Sequence, residues 1–134
     1  MVLLDTNVVS ELRRPKPHGA VLAWLREVPE DQLHLSALTL GEIQAGIERT
    51  REQDAGKAQA LERWLDQLAQ AYRVLPLDGP VLRAWARLMR RQSDTLYEDA
   101  LIAATAQVHG LRVVTRNVAD FRQLGIDVID PFSS

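Results

Sequence analysis

The chain has 134 residues, 46% of them hydrophobic and 25% charged, enough for one buried core and a solvated surface. It has no cysteine, which excludes a disulfide scaffold and thiolate zinc sites and fits a reducing cytoplasm. The net charge of -2 excludes an overall basic nucleic-acid binder; no N-terminal pattern reads as a secretory signal, and no apolar run reaches the ~18 residues that cross a bilayer.

Val2–Leu4 is apolar throughout and reads as a short buried strand. Asn7–Arg14 reads as a short helix stopped by Pro15 and Pro17. His18–Val28 is a second helix ending near Pro29, and His34–Ser36 a short strand. Leu38–Arg51 and Ala55–Ala71 are helices, the latter with Leu61, Trp64, Leu65 and Leu68 on one face. Arg73–Leu77 reads as an edge or terminating strand, because Pro76 cannot donate to a ladder. Pro80–Gln92 is helical, with Pro80 suited to its first turn. Tyr97–His109 is a helix closed by Gly110, and Leu111–Thr115 is the clearest strand. Ala119–Leu124 is a short helix and Asp127–Ile129 a last strand. Short apolar strands alternating with helices predict an α/β architecture with a mostly parallel central sheet. Ligands of such sheets sit beyond the carboxyl ends of the strands, where Asp5 and Thr115-Arg116-Asn117 fall.

The acids at these seams have two readings each. Asp5, in the run Val-Leu-Leu-Asp-Thr-Asn, is either a helix N-cap worth about 1 kcal/mol or a functional acid. Thr6 and Asn7 also cap well, so Asp5 is not needed for that work. Glu42 completes a capping box with Thr39. Yet Gly41 and Gly46 beside it each cost a helix about 1 kcal/mol against Ala, which suggests that a backbone or ligand approaches there. Asp99 leads into a helix that is apolar nearly all round. It reads as a favourable charge at a helix N-terminus or as a ligand. Glu98 completes a second capping box with Thr95 and is assigned the cap, leaving Asp99 as the functional acid. Asn117 reads as a cap or a site residue, and Asp120 as a first-turn charge or a site residue. Taken together, oxygen donors at strand and helix starts, with no Cys and few His, suit a hard cation such as Mg²⁺ or Mn²⁺.

The segments LLDTNVVSEL, LSALTLGEIQAGI, EDALIAATAQVHG and VVTRNVADF follow one another across essentially the whole chain. In that order and spacing they resemble the successive motifs of PIN-domain proteins, above all the toxin subunits of VapBC-type toxin–antitoxin pairs, including the FitB-like branch. The resemblance implies a single PIN domain over residues 1–134, a three-layer α/β/α fold with a mostly parallel central sheet. It implies a Mg²⁺- or Mn²⁺-dependent endoribonuclease whose metal ligands and catalytic acids are Asp5, Glu42 and Asp99. The fourth acidic position falls on Asn117, where this sequence departs from the all-acid pattern. Asn keeps a carbonyl oxygen but removes one negative charge, and Asp120 stands one helical turn on to compensate. Thr115 matches a hydroxyl position that supports the acidic cluster, while Thr6 and Asn7 take the turn-and-cap work. The implied partners are an RNA substrate, a small cognate antitoxin that wraps the toxin, and a second copy in a homodimer, with a cytoplasmic location and no membrane contact.

Arg83, Arg87, Arg90 and Arg91 fall at i, i+4, i+7 and i+8 and form one stripe on the Pro80–Gln92 helix. The stripe is a solvated face or a phosphate-contacting edge. Arg116, next to the proposed site, is the better candidate for RNA contact, with Arg87 second. Trp24, Trp64 and Trp85 lie on apolar helix faces and read as core or interface. An Asp that accepts a phosphoryl group at a strand end is a competing chemistry. Dehalogenase-like phosphatases want a second Asp two residues on, where Asn7 stands; receiver domains want an acidic pair before the strand, where Leu3-Leu4 stand. A PIN scaffold reduced to binding RNA or antitoxin is favoured by Asn117 alone.

Overall fold

β1 (Val2–Leu4) is buried along its whole length, as a central strand covered on both faces must be. The structure, a computed structural model, describes residues 1–133. After β1 the chain forms α1 (Thr6–Glu11), α2 (Gly19–Glu27), a 3₁₀ turn at Glu30–Gln32 and β2 (Leu33–Ser36). There follow α3 (Ala37–Arg51), α4 (Ala55–Ala71), β3 (Arg73–Leu75) and α5 (Gly79–Leu88). A second 3₁₀ turn at Asp94–Leu96 leads into α6 (Tyr97–His109), β4 (Arg112–Val114), α7 (Val118–Gln123) and β5 (Val128–Ile129). The five strands lie in the order β3-β2-β1-β4-β5, and all four pairings are parallel.

The three layers follow from the strand period of two. Val2 and Leu4 point into one core with Val8, Val9, Val21, Ile43, Ile47, Leu65 and Leu68, which belong to α1–α4. Leu3 points the other way, into a core with Ala100, Ile102, Ala103, Ala106 and Phe121 from α6 and α7. Val114 and Val113 of β4 divide between the same two cores. A sheet whose alternate side chains feed two apolar layers has to be covered by helices on both faces.

Strand order reverses around β1, which pairs with β2 on one side and β4 on the other. The crevice beyond the carboxyl ends of β1 and β4 is therefore the topological switch point. Asp5 extends the β1–β4 ladder by one bond, its N–H donating to the Val114 carbonyl at 2.9 Å.

Several boundaries differ from the sequence reading. α1 begins at Thr6 and stops at Glu11, so Arg13 and Arg14 lie in the turn before Pro15 rather than on a helix. β3 is the edge strand expected, but it ends at Leu75, before Pro76. α5 ends at Leu88, and Arg91 adopts a left-handed φ of 64°. Arg90 and Arg91 are thus off the helix, and the four-arginine stripe is reduced to Arg83 and Arg87. Gly110 closes α6 with φ 66°, as read. Trp24 and Trp64 pack against the first core, while Trp85 packs against the second and donates its Nε1–H to the Tyr97 carbonyl at 3.2 Å.

Candidate active site

The crevice at the switch point is a cavity of about 210 Å³ lined by Asp5, Thr6, Asn7, Glu42, Glu98, Asp99, Ile102 and Asn117. Strand ends and the N-terminal halves of helices deliver them: β1 and α1 the first three, α3 Glu42, α6 Glu98, Asp99 and Ile102, and the β4–α7 turn Asn117. Asp5, Glu42 and Asp99 are 37 or more residues apart in sequence and share this one cavity.

Asp5 is buried, and both of its oxygens are fixed. Oδ1 accepts the Thr6 N–H at 2.8 Å. Oδ2 accepts the Thr115 hydroxyl at 2.8 Å and the Asn7 side-chain N–H at 3.3 Å. Asp5 is thus the N-cap of α1 as well as a wall of the cavity, which corrects the assignment of the cap to Thr6 and Asn7. Those two support the site instead. The Thr6 hydroxyl donates to Glu42 Oε1 at 2.8 Å and accepts from the Thr39 hydroxyl at 2.9 Å. Asn7 Oδ1 accepts the Arg116 N–H at 3.3 Å, tying the β4–α7 turn to α1. Buried Thr115 links the two strand ends, because its oxygen also accepts the Asn117 N–H at 2.9 Å.

Neither capping box forms. Ser36 caps α3 by accepting the Leu38 N–H at 3.1 Å, and Thr39 is buried one turn inside the helix, which leaves Glu42 free to face the cavity. α6 has Leu96 at its N-cap with no side-chain bond, so Glu98 caps nothing and joins the acids. The sequence reading missed Glu98 because a box pattern explained it. Its adjacency to Asp99 at the start of a buried helix was the available signal. No backbone comes close to Gly41 or Gly46: an added Cβ at Gly41 meets nothing within 4 Å, and at Gly46 only the Arg49 side chain at 3.6 Å. Asn117 stands at the N-cap position of α7 but makes no side-chain capping bond. Asp120, in the first turn of α7, lies against Asp99. Arg87 is not brought to these acids; with Arg83 it lines a separate cavity of about 510 Å³ between α5 and the end of α6.

Asp5, Glu42 and Asp99 hold their protons more tightly than free carboxyls. Burial raises Asp5 above the usual carboxylate range, and the charge of Glu98 adds to it, while the Thr115 and Thr6 bonds pull it back. Glu42 is pushed up to about 7 by burial, then by the adjoining Glu98 carboxyl and the charge of Asp5. Asp99 is pushed up to about 7 by burial, then by Asp5, Asp120 and Glu98. No Lys or Arg side chain lines the cavity to offset these charges.

That donor set fits a hard divalent cation: oxygen only, acidic, and without a countercharge of its own. Among the described residues no three acids are already drawn into one coordination shell. The carboxylates line a shared pocket rather than a closed cage.

The PIN domain profile matches residues 2–126, and this chain belongs to the PIN-domain family. Within it, the chain is 39% identical to "VapC ribonuclease Y4jK" of Sinorhizobium fredii, over 98% of both chains. It is 34% identical to "Toxin FitB" of Neisseria gonorrhoeae, covering 98% of this chain and 99% of that one. Its fold superposes on the crystal structure of FitAcB from Neisseria gonorrhoeae with a TM-score of 0.88, at 34% identity and full coverage of both chains. A toxin–antitoxin complex from Klebsiella pneumoniae follows at a TM-score of 0.71, 25% identity and full coverage of both chains.

Proposed function

We propose that this chain is a Mg²⁺- or Mn²⁺-dependent endoribonuclease that acts as the toxin of a type II toxin–antitoxin pair. One observation carries the reading: Asp5, Glu42, Asp99 and Asn117 line one acidic pocket at the switch point of a PIN fold. Similarity over nearly the full length to a VapC ribonuclease and to toxin FitB supports RNA as the substrate. Similarity to the FitAcB structure and the Klebsiella complex supports a small antitoxin as partner, and a homodimer belongs to the same proposal. Among the described residues no helix is long and apolar enough to cross a membrane.

Asp5, Asp99 and Glu42 would hold the ion, with Asn117 offering a neutral oxygen and Asp120 a further charge behind Asp99. Bound there, it supplies Lewis acidity, making a water more acidic and offsetting charge on the phosphate. The chain's own residues prepare that chemistry. Thr115 and Thr6 fix both Asp5 oxygens, so the acid does not rotate. Thr6 orients the Glu42 carboxyl, which would serve as a ligand or orient the attacking water. Buried Ile102 supplies the pocket's one large apolar side chain, a low-dielectric wall beside the acids.

Asp5→Asn tests the reading. Asn is also a good N-cap, so α1 stays in place. Circular dichroism is expected to be unchanged while Mg²⁺-dependent cleavage of RNA is lost, and EDTA abolishes cleavage by the wild type. An unchanged cleavage rate in Asp5→Asn would sink the assignment.

A further inference from the structure

The turn between α1 and α2 reads Arg13-Arg14-Pro15-Lys16-Pro17-His18, and its basic side chains lie outside the core: Arg13, Arg14 and Lys16 are exposed, as is His18. Buried Glu11 pins this turn, accepting the His18 N–H at 2.9 Å and pairing with Arg14 at 3.6 Å. His18 then meets the ring of Phe132 edge-on, with centroids 5.3 Å apart and planes at 71°. The guanidinium of Arg116 lies over the same ring, 3.8 Å from its centroid. Residues more than a hundred positions apart thus form one cluster. It is anchored to the acidic pocket, because Arg116 follows Thr115 and its N–H is held by Asn7. Among the described residues Arg13, Lys16 and Arg116 pair with no acid within 4 Å.

A guanidinium stacked on an aromatic face spends its π face on the ring and keeps its in-plane N–H edges for a phosphate. Arg116 follows Thr115, the residue bonded to Asp5, and the His18–Phe132 contact joins it to the turn that carries Arg13 and Lys16. The chain as a whole is acidic, with a net charge of -2, so an uncompensated basic strip next to an acidic crevice points to a polyanion that must reach the crevice. A positively charged groove that tracks the backbone is a general way of binding a single strand.

We propose that Arg116, held flat on Phe132, and the Arg13–His18 turn form a track for the sugar-phosphate backbone of single-stranded RNA leading into the acidic pocket. The proposal rests on the ribonuclease reading for its choice of polyanion. Phe132 is a positioning residue: it acts by holding Arg116, and Asp130 holds it in turn by accepting the Phe132 N–H at 2.9 Å.

The test measures binding of a short fluorescent single-stranded RNA by anisotropy, in the Asp5→Asn background so that the RNA stays intact. Phe132→Leu keeps an apolar side chain but removes the π face. It is expected to weaken binding about two- to fivefold, the size of an exposed cation–π contact, with Phe132→Tyr restoring it. Arg13→Glu with Lys16→Glu is expected to weaken binding and to reduce the slope of log affinity against log salt by about 1.4, at ~0.7 per phosphate contact on a single strand. Wild-type affinity in Phe132→Leu, or an unchanged salt slope in the double variant, overturns the track. Poly-glutamate bound as tightly as RNA would mark the strip as a protein-docking surface and also overturn it. Cleavage by the wild type is scored separately, so loss of the nuclease reading and loss of the track are distinguishable.

Discussion

The arginine-lined cavity between α5 and α6 measures about 510 Å³, and the acidic pocket beyond β1 and β4 about 210 Å³. Both are lined by charged side chains, yet they are built differently. Arg83 and Arg87 are exposed on the outer face of one helix, where their charges are solvated and strain nothing. Asp5, Glu42, Glu98 and Asp99 come from three separate parts of the chain and meet in one pocket, where burial first and the neighbouring acids second make Asp5, Glu42 and Asp99 bind protons more tightly than isolated carboxyls do. Like charges gathered against their own repulsion weaken a fold, and a chain keeps such an arrangement where function needs it. The difference teaches that the energetic conflict, not the volume of a cavity, marks the site.

The sharpest way to break this comparison is to remove one acid. Asp99→Asn is expected to lower Mg²⁺-dependent RNA cleavage by at least about a hundredfold, more than the ~10–100-fold that follows loss of an outer-shell partner. Initial rates at saturating Mg²⁺ measure it. A loss below about tenfold would remove Asp99 from the ligand set.

Asp99 was legible in the sequence because an acid at the head of a helix with no polar face has few structural uses. Asp5 was legible as the polar end of an apolar strand, and the parallel sheet followed from the alternation of short apolar runs with helices. Glu98 was not, and the reason is physical. A capping box is a local pattern, whereas the α6 N-terminus is set by the 3₁₀ turn before it, where Ser93 accepts the Thr95 N–H at 3.3 Å. Thr39 failed the same way: Ser36 ends β2 and starts α3 at once, so the helix begins before the box does. The Phe132 cluster was out of reach altogether, since nothing local relates His18 to Arg116 or either to Phe132. Only the sheet brings β4 and β5 beside the α1–α2 turn.

A smaller effect separates the acids from what holds them. Thr115→Val removes the hydroxyl that donates to Asp5 and accepts from Asn117. Cleavage is expected to fall about 10–100-fold, with Thr115→Ser retaining most of it. Equal activity in the Val and Ser variants would show that the hydroxyl plays no part in holding Asp5.

The conflict among the acids should also be visible in stability. Glu42 and Asp99 are raised from 4.5 and 3.8 to about 7 in the folded chain, so the fold binds protons more tightly than the unfolded chain does. Stability then rises as pH falls through about 7 and stops rising below the unfolded values near 4. The melting temperature of the metal-free protein is expected to be a few degrees higher at about pH 6 than at about pH 8. Glu42→Gln should flatten that slope and raise the metal-free melting temperature at the higher pH, while cleavage is lost. Mg²⁺ should do the same to the wild type without the loss. A flat melting profile in EDTA would mean that neither burial nor the neighbouring acids raise the proton affinity of Glu42 and Asp99.

The smallest effect belongs to the larger cavity, and it closes the comparison from the other side. Arg87→Ala removes an exposed charge whose guanidinium has no acid within 4 Å among the described residues. Its stability should shift by less than about 0.5 kcal/mol, as for most surface substitutions away from special features. Its cleavage rate should stay within about twofold of wild type, since a side chain outside the acidic pocket should change the barrier by no more than about 0.5 kcal/mol. Because α5 ends at Leu88, Arg87 has no continuing row of arginines to act with, and one solvated charge away from the acidic pocket gives RNA little to hold. A cleavage loss matching that of Thr115→Val would instead extend the RNA path over α5 and make both cavities parts of one surface.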